Sequence, residues 1–199
     1  LRASAGGGLR VAGRSRALAA VVGALDAAGI DHALIGAFAV GLYGAPRNTG
    51  DLDLLAWDER LFEQATWEPL SRARLVVDIR VGDDEDELVG VVRIAPGAAL
   101  PIDVVMPRGD WVRQILDRAR ARARRVAISG TNVLVVDLPD LVLTKLYAGG
   151  PLDERDILDV LGGCEEPGAV AAAVDARVVE QPERCARAWR GLRATLLPA

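Results

Sequence analysis

Apolar residues recur at helical spacing over residues 16–28 (Leu18, Val21, Val22, Leu25), and Gly29 offers a stop. Residues 33–35 form an uninterrupted apolar run that predicts a short buried strand. Gly36 then begins a turn, residues 37–43 predict a short apolar helix, and Gly44-Ala45-Pro46 breaks it. Residues 51–56 alternate and predict a strand, after which Asp58 can cap a short helix. Three further strands are predicted over residues 75–81, 89–95 and 102–106, with the acidic run 83–87 as a solvated turn. Residues 110–123 predict a helix with Val112, Ile115 and Leu116 on one side. Two small strands, 126–129 and 133–136, flank a Gly130-Thr131-Asn132 turn. From Pro139 the pattern is helical. Gly149-Gly150-Pro151 ends one helix, residues 152–161 predict a second, and one more lies on each side of Gln181-Pro182. The plan is a flexible start (1–13), an α/β core (14–136) and a C-terminal helical region (137–199).

Composition narrows the class. Hydrophobic residues make up 51% and charged residues 26%, which describes a globular chain. The net charge of -4 excludes a generally basic nucleic-acid binder, although seven arginines against two aspartates over residues 108–125 predict either a local phosphate grip or a solvated helix. The longest uncharged stretch, 33–46, holds three glycines and ends in proline, so no membrane span is expected. No secretory signal is visible, and two cysteines without ligand spacing, Cys164 and Cys185, fit a reducing cytoplasm. Abundant alanine, glycine and arginine point to a GC-rich bacterial genome. Against that bias Lys145 is the only lysine, which makes it a candidate for a role that needs a compact ammonium, the alternative being chance retention. His32, the only histidine, precedes a buried strand and is expected to pack there and not to act as a base.

The chemistry centres on Arg47-Asn48-Thr49-Gly50-Asp51-Leu52-Asp53. On a strand Asp51 and Asp53 project from one face while Leu52 and Leu54 face the core. Two such carboxylates repel each other, and a divalent cation with a taste for oxygen, Mg²⁺ or Mn²⁺, relieves the repulsion. Asp103 interrupts the apolar run Ile102-Asp103-Val104-Val105 and is a candidate third carboxylate, with Asp78 as its rival.

The run Ile35-Gly36-Ala37-Phe38-Ala39-Val40, then Gly44, then Arg47-x-Thr49-x-Asp51-x-Asp53, resembles the nucleotidyltransferase superfamily, with its polymerase-β-like fold. The branch it is most similar to holds the AbiEii-type and MenT-type toxins. The resemblance implies an α/β (α+β) fold: a minimal core of mixed β-sheet flanked by helices, plus a C-terminal helical part. It implies metal binding by Asp51, Asp53 and Asp103, and favours Asp103 over Asp78. It also implies nucleotide contacts at Gly36, Ala37, Arg47 and Thr49, where the turn and the following helix could present backbone N–H groups to phosphate. Many members carry Gly-Ser at this turn; Gly36-Ala37 lacks the hydroxyl. The run Asp140-Leu141-Val142-Leu143-Thr144-Lys145 leading into Asp153-Glu154-Arg155-Asp156 resembles the branch as well. It implies that Lys145 neutralises phosphate charge and that Asp156 orients it, although Asp153, Asp156 and Asp159 share a helix face.

The implied reaction moves a nucleoside monophosphate from an NTP, ATP among them, to an acceptor hydroxyl, with two metal ions about 4 Å apart. A tRNA 3′ end as acceptor would make the chain a toxin with a cognate antitoxin protein. A small hydroxylated molecule would make it a resistance-type enzyme, and a protein side chain is a third acceptor. Ala37 keeps open a degenerate nucleotide-binding module. Residues 163–199 carry no recognisable motif.

Overall fold

The computed structural model describes residues 6–95 and 100–196. Helix α1 spans Gly6–Ala28, longer than the 16–28 expected, so only residues 1–5 of the predicted flexible start lie outside the described residues. The glycine-rich opening hid this, because each glycine disfavours helix by about 1 kcal/mol relative to alanine. Strand β1 (His32–Ile35) and helix α2 (Gly36–Leu42) follow, then β2 (Leu52–Ala56). Asp58 caps the short helix expected after β2, a 3-10 helix over Glu59–Phe62; its Oδ1 accepts from the Arg60 backbone N–H at 2.9 Å. Helix α3 is Glu68–Arg72. Strands β3 (Val76–Val81), β4 (Leu88–Ala95) and β5 (Ile102–Pro107) lie where alternation put them.

The five strands form one mixed sheet in the order β1-β2-β5-β4-β3. Only β2 and β5 run parallel; every other neighbour is antiparallel. The alternation resolves into two faces. Leu52, Leu54, Ile102, Val104, Val92 and Ile94, all at most 2% exposed, point into the core. The opposite parity carries Asp53, Asp103, Arg93 and Asp78 in one row across the sheet.

Helix α4 is Trp111–Arg122, and the hairpin β6 (Arg125–Ile128) and β7 (Thr131–Leu134) comes next. Its turn is Ser129-Gly130, one residue earlier than Gly130-Thr131-Asn132. Both turn residues take positive φ, 50° and 87°, as the two-residue turn that matches strand twist demands. Val135 then lies beside Leu34, which covers the outer edge of β1.

Helices α5 (Leu138–Ala148), α6 (Pro151–Gly163), α7 (Pro167–Arg177) and α8 (Glu183–Leu196) build the C-terminal part. Asp137 caps α5 through the Asp140 N–H at 2.8 Å, and Gly149 closes it at φ 65°. One ionic knot binds this part to the core. Asp140, fully buried, accepts from Arg118 of α4 at 2.7 and 2.9 Å and lies 2.9 Å from Arg177 of α7. Arg177 and Arg122 also hold Asp137.

Removing one partner of such a knot leaves uncompensated buried charge. Asp140→Ala should therefore lose about 3–5 kcal/mol of unfolding free energy. Arg120→Ala, which breaks only exposed pairs with Asp31 and Asp117, should lose at most about 1 kcal/mol. Denaturant titration of both variants checks the contrast.

Candidate active site

Strand register assembles the site. In the parallel β2–β5 pair Asp53 lies directly opposite Asp103, and Asp51 stands one pleat earlier on the same side. Asp51, Asp53 and Asp103 each offer an oxygen, and these oxygens lie within 4.8 Å of one another. Thr49 fixes Asp51 by donating its hydroxyl to Oδ1 at 2.9 Å. Gly36 is required here twice over: its φ is +69°, and a Cβ would sit 1.9 Å from the Asp53 Oδ2. The turn backbone thus packs directly on a carboxylate of the cluster.

Asp103 Oδ2 accepts from Arg93 at 3.3 Å, while its Oδ1 is buried with no hydrogen-bond partner among the described residues. An orphaned carboxylate oxygen beside two further carboxylates is the arrangement a hard cation satisfies. Asp78 lies two strands further out, paired with Arg80 at 2.6 Å, and is not in the cluster.

The cluster is electrostatically strained. Burial, then the charges of Asp51 and Asp103, push the Asp53 carboxyl up to about 7, against the pull of Lys145 and Arg47. Burial and the Asp51 charge also raise Asp103, with Arg93 opposing.

Across the site stands a buried cation. Lys145, 7% exposed, holds its ammonium 2.7 Å from Asp153 Oδ1 and 2.8 Å from Asp156 Oδ2. Asp156 also accepts from Arg47 Nε at 2.8 Å and Nη2 at 3.2 Å, so the loop before β2 is tied to α6. Burial alone would raise Asp156; the hydrogen bonds from Arg47 and Lys145 prevail and hold it below the usual carboxylate range. Asp153 does a second job, accepting from the Gly150 N–H at 3.1 Å and capping α6. Of the three aspartates on that face, Asp159 is the outlier: it pairs with Arg155 at the surface.

Asp53, Gly36, Lys145 and Asp153 line one cavity of about 370 Å³. Its far wall is apolar and aromatic: Leu55, Val105, Pro107, Trp111 and Tyr147, the two rings 4.8 Å apart. Sequence reasoning did not find this wall, since its members come from four elements distant in the chain, β2, β5, α4 and α5. Arg93 was also missed; only the β4–β5 register sets it beside Asp103.

Other residues resolve simply. Ala37 is buried and brings only a methyl group to the turn after Gly36. His32 is buried and donates through Nδ1 to the Ile30 carbonyl at 3.0 Å. Five of the seven arginines over residues 108–125 make internal contacts. Arg118, Arg120 and Arg122 pair with aspartates, Arg108 donates to the Asp86 carbonyl, and Arg124 stacks on the Tyr43 ring. Cys164 and Cys185 are free thiols. No helix among the described residues is long and apolar enough to cross a membrane.

No family model and no curated protein matches the chain. Among solved structures it is similar to ANT(2'')-Ia in complex with adenylyl-2''-tobramycin, at 12% identity and TM-score 0.44, over 92% of this chain and 98% of that one. It is similar to an antigenic nucleotidyltransferase-like protein from Paracoccidioides brasiliensis, at 19% identity and TM-score 0.43, over 87% and 91%. A CCA-adding enzyme in complex with CTP aligns at 12% identity and TM-score 0.34, over 86% of this chain and 49% of that one. At these identities and TM-scores none of them assigns a reaction or an acceptor to this chain.

A pH dependence follows from Asp53. Its folded-state carboxyl is raised to about 7, above the ordinary carboxylate range, so the folded chain binds that proton more tightly than the unfolded chain. Asp53's contribution to the stability of the metal-free protein is therefore fully present below the ordinary carboxylate range and is lost as pH rises through about 7. Asp53→Asn should flatten that fall and melt higher than wild type at mildly alkaline pH, as thermal unfolding across pH in a chelator will show.

Proposed function

We propose that this chain is a divalent-metal-dependent nucleotidyltransferase that moves a nucleoside monophosphate from an NTP to an acceptor hydroxyl. The observation that carries the reading is the triad Asp51, Asp53 and Asp103, with its orphaned oxygen, whose member Asp53 lines the same cavity as the lone lysine. The all-oxygen donor set suits Mg²⁺ or Mn²⁺, held by these three carboxylates. Bound there, the cation supplies charge neutralisation for the phosphoryl group in transfer.

The chain's own residues do the rest. Thr49 locks the Asp51 rotamer, and Gly36 lets the turn backbone approach the cluster. Lys145 and Arg47, both held by Asp156, bring two positive charges to the phosphate-bearing side of the site. Asp103, raised by burial, receives the proton of the acceptor hydroxyl as its oxygen bonds to the α-phosphorus and the bond to pyrophosphate breaks.

Two acceptors compete. The likeness of the Gly36 to Asp53 segment and the Lys145 helix to AbiEii-type and MenT-type toxins supports a tRNA 3′ end, with an antitoxin as partner. A small hydroxylated molecule is favoured by a different observation: most of the arginine run is spent internally, while a partly apolar cavity of about 370 Å³ opens beside Asp53. Incubation with each labelled NTP, Mg²⁺ and either total RNA or hydroxylated small molecules shows which pool gains label. A degenerate module, the reading that Ala37 leaves open, would consume no NTP in either.

Asp51→Asn and Asp53→Asn should each abolish transfer with secondary structure intact; wild-type turnover in both would remove the metal assignment. Lys145→Ala should fold, because Asp156 keeps Arg47 and Asp153 keeps the Gly150 N–H. It should lose on the order of 10²-fold in rate, and Lys145→Arg should not rescue it, since a planar fork misplaces the charge by ~1 Å or more. Melting temperature measured beside NTP-dependent transfer distinguishes this from a helix-joining role, in which arginine would substitute and alanine would cost stability instead of turnover.

A further inference from the structure

The sheet has one protected edge and one bare one. Val135 covers β1, whereas no strand among the described residues pairs with the outer side of β3. Proteins usually blunt such an edge with charged side chains, proline or a bulge. Strand β3, Val76-Val77-Asp78-Ile79-Arg80-Val81, has no proline, keeps regular register with β4 over its whole length, and carries two charges of opposite sign that neutralise each other in one ion pair. Val76 and Val81 are each 65% exposed, two of the four large exposed hydrophobics among the described residues. A free hydrophobic edge of this kind is a pairing surface.

The charge pattern names the occupant. In a two-fold dimer residue i opposes j and j opposes i, and antiparallel partners face the same side of the sheet. The axis must therefore pass through a residue of β3. Centred on Asp78 it would set two carboxylates opposite each other, and centred on Arg80 two guanidiniums, both unfavourable. Centred on Ile79 it pairs Asp78 with Arg80 twice, Val77 with the exposed Val81 twice, and Ile79 with itself. The two charged side chains can exchange partners across the axis, since they are well exposed, Arg80 at 69% and Asp78 at 46%, and among the described residues their one ion pair is with each other.

We infer that β3 pairs antiparallel with β3 of a second copy of this chain, in the single register centred on Ile79. The two five-stranded sheets become one. Asp53, Asp103, Arg93 and Asp78 share a row and a face, so both carboxylate clusters open on the same side of the joined sheet.

Sedimentation equilibrium of the full chain tests this without reference to any activity. Wild type should show a concentration-dependent dimer. Asp78→Arg and Arg80→Asp should each be monomeric, because each sets like charges opposite one another, and the double variant Asp78→Arg/Arg80→Asp should regain the dimer. Should circular dichroism show a charge variant unfolded, Val81→Lys decides, since that exposed side chain tolerates replacement in the monomer; it too should be monomeric. A monomeric wild type from micromolar to millimolar concentration overturns the inference, as it would if β3 serves a different partner. A dimer that survives the single charge changes, or that Asp78→Arg/Arg80→Asp fails to restore, overturns the register.

Discussion

Everything in this molecule that resembles chemistry depends on one register: the parallel pairing of β2 with β5 that sets Asp53 opposite Asp103. Like charges side by side in a half-buried setting oppose folding, and burial first, then the charges of Asp51 and Asp103, raises the Asp53 carboxyl. What holds them is the other parity of the same strands. Leu52, Leu54, Ile102 and Val104 are sealed in the core, and slipping either strand by one residue would expose them. The hydrophobic effect, acting on one face, thus imposes electrostatic strain on the other. A cation at the cluster would discharge that strain.

The cations are divided by task. Guanidinium groups do the joining: Arg118 and Arg177 clamp Asp140, Arg122 reaches Asp137, and Arg47 ties the loop before β2 to α6. Planar forks suit these bidentate pairings. The single ammonium, Lys145, is instead buried between Asp153 and Asp156 at the cavity wall. Asp156 belongs to both sets, holding Arg47 and Lys145 together, and so couples the approach to β2 with the C-terminal helices. The helical part is thereby a wall of the cavity as well as a support for it.

Much of this was legible in the residues. The two-residue alternation of 51–56 and 102–106 gave strands and told which side chains share a face. Gly36 and Gly149, needed for positive φ, marked their turns. Asp51, Asp53, Asp103 and Lys145 stood out because each breaks a pattern: charge in an apolar strand, or lysine in an arginine-rich chain. Local steric and hydrophobic rules act over a few residues, and a sequence displays them directly.

What the sequence could not display is which strands become neighbours and where long side chains end. Asp78 and Asp103 carry the same local signature, and only the order β5-β4-β3 sends Asp78 two strands away from the cluster. The arginine run reads as a phosphate grip until tertiary packing supplies Asp31, Asp137 and Asp140 as partners. The Trp111–Tyr147 wall and the Arg93 contact likewise come from elements far apart in the chain. By itself the sequence determined the elements, their buried faces and the identity of the unusual charges. The tertiary structure decided which charges meet, because that depends on closing long loops against entropy, and no local pattern encodes the result.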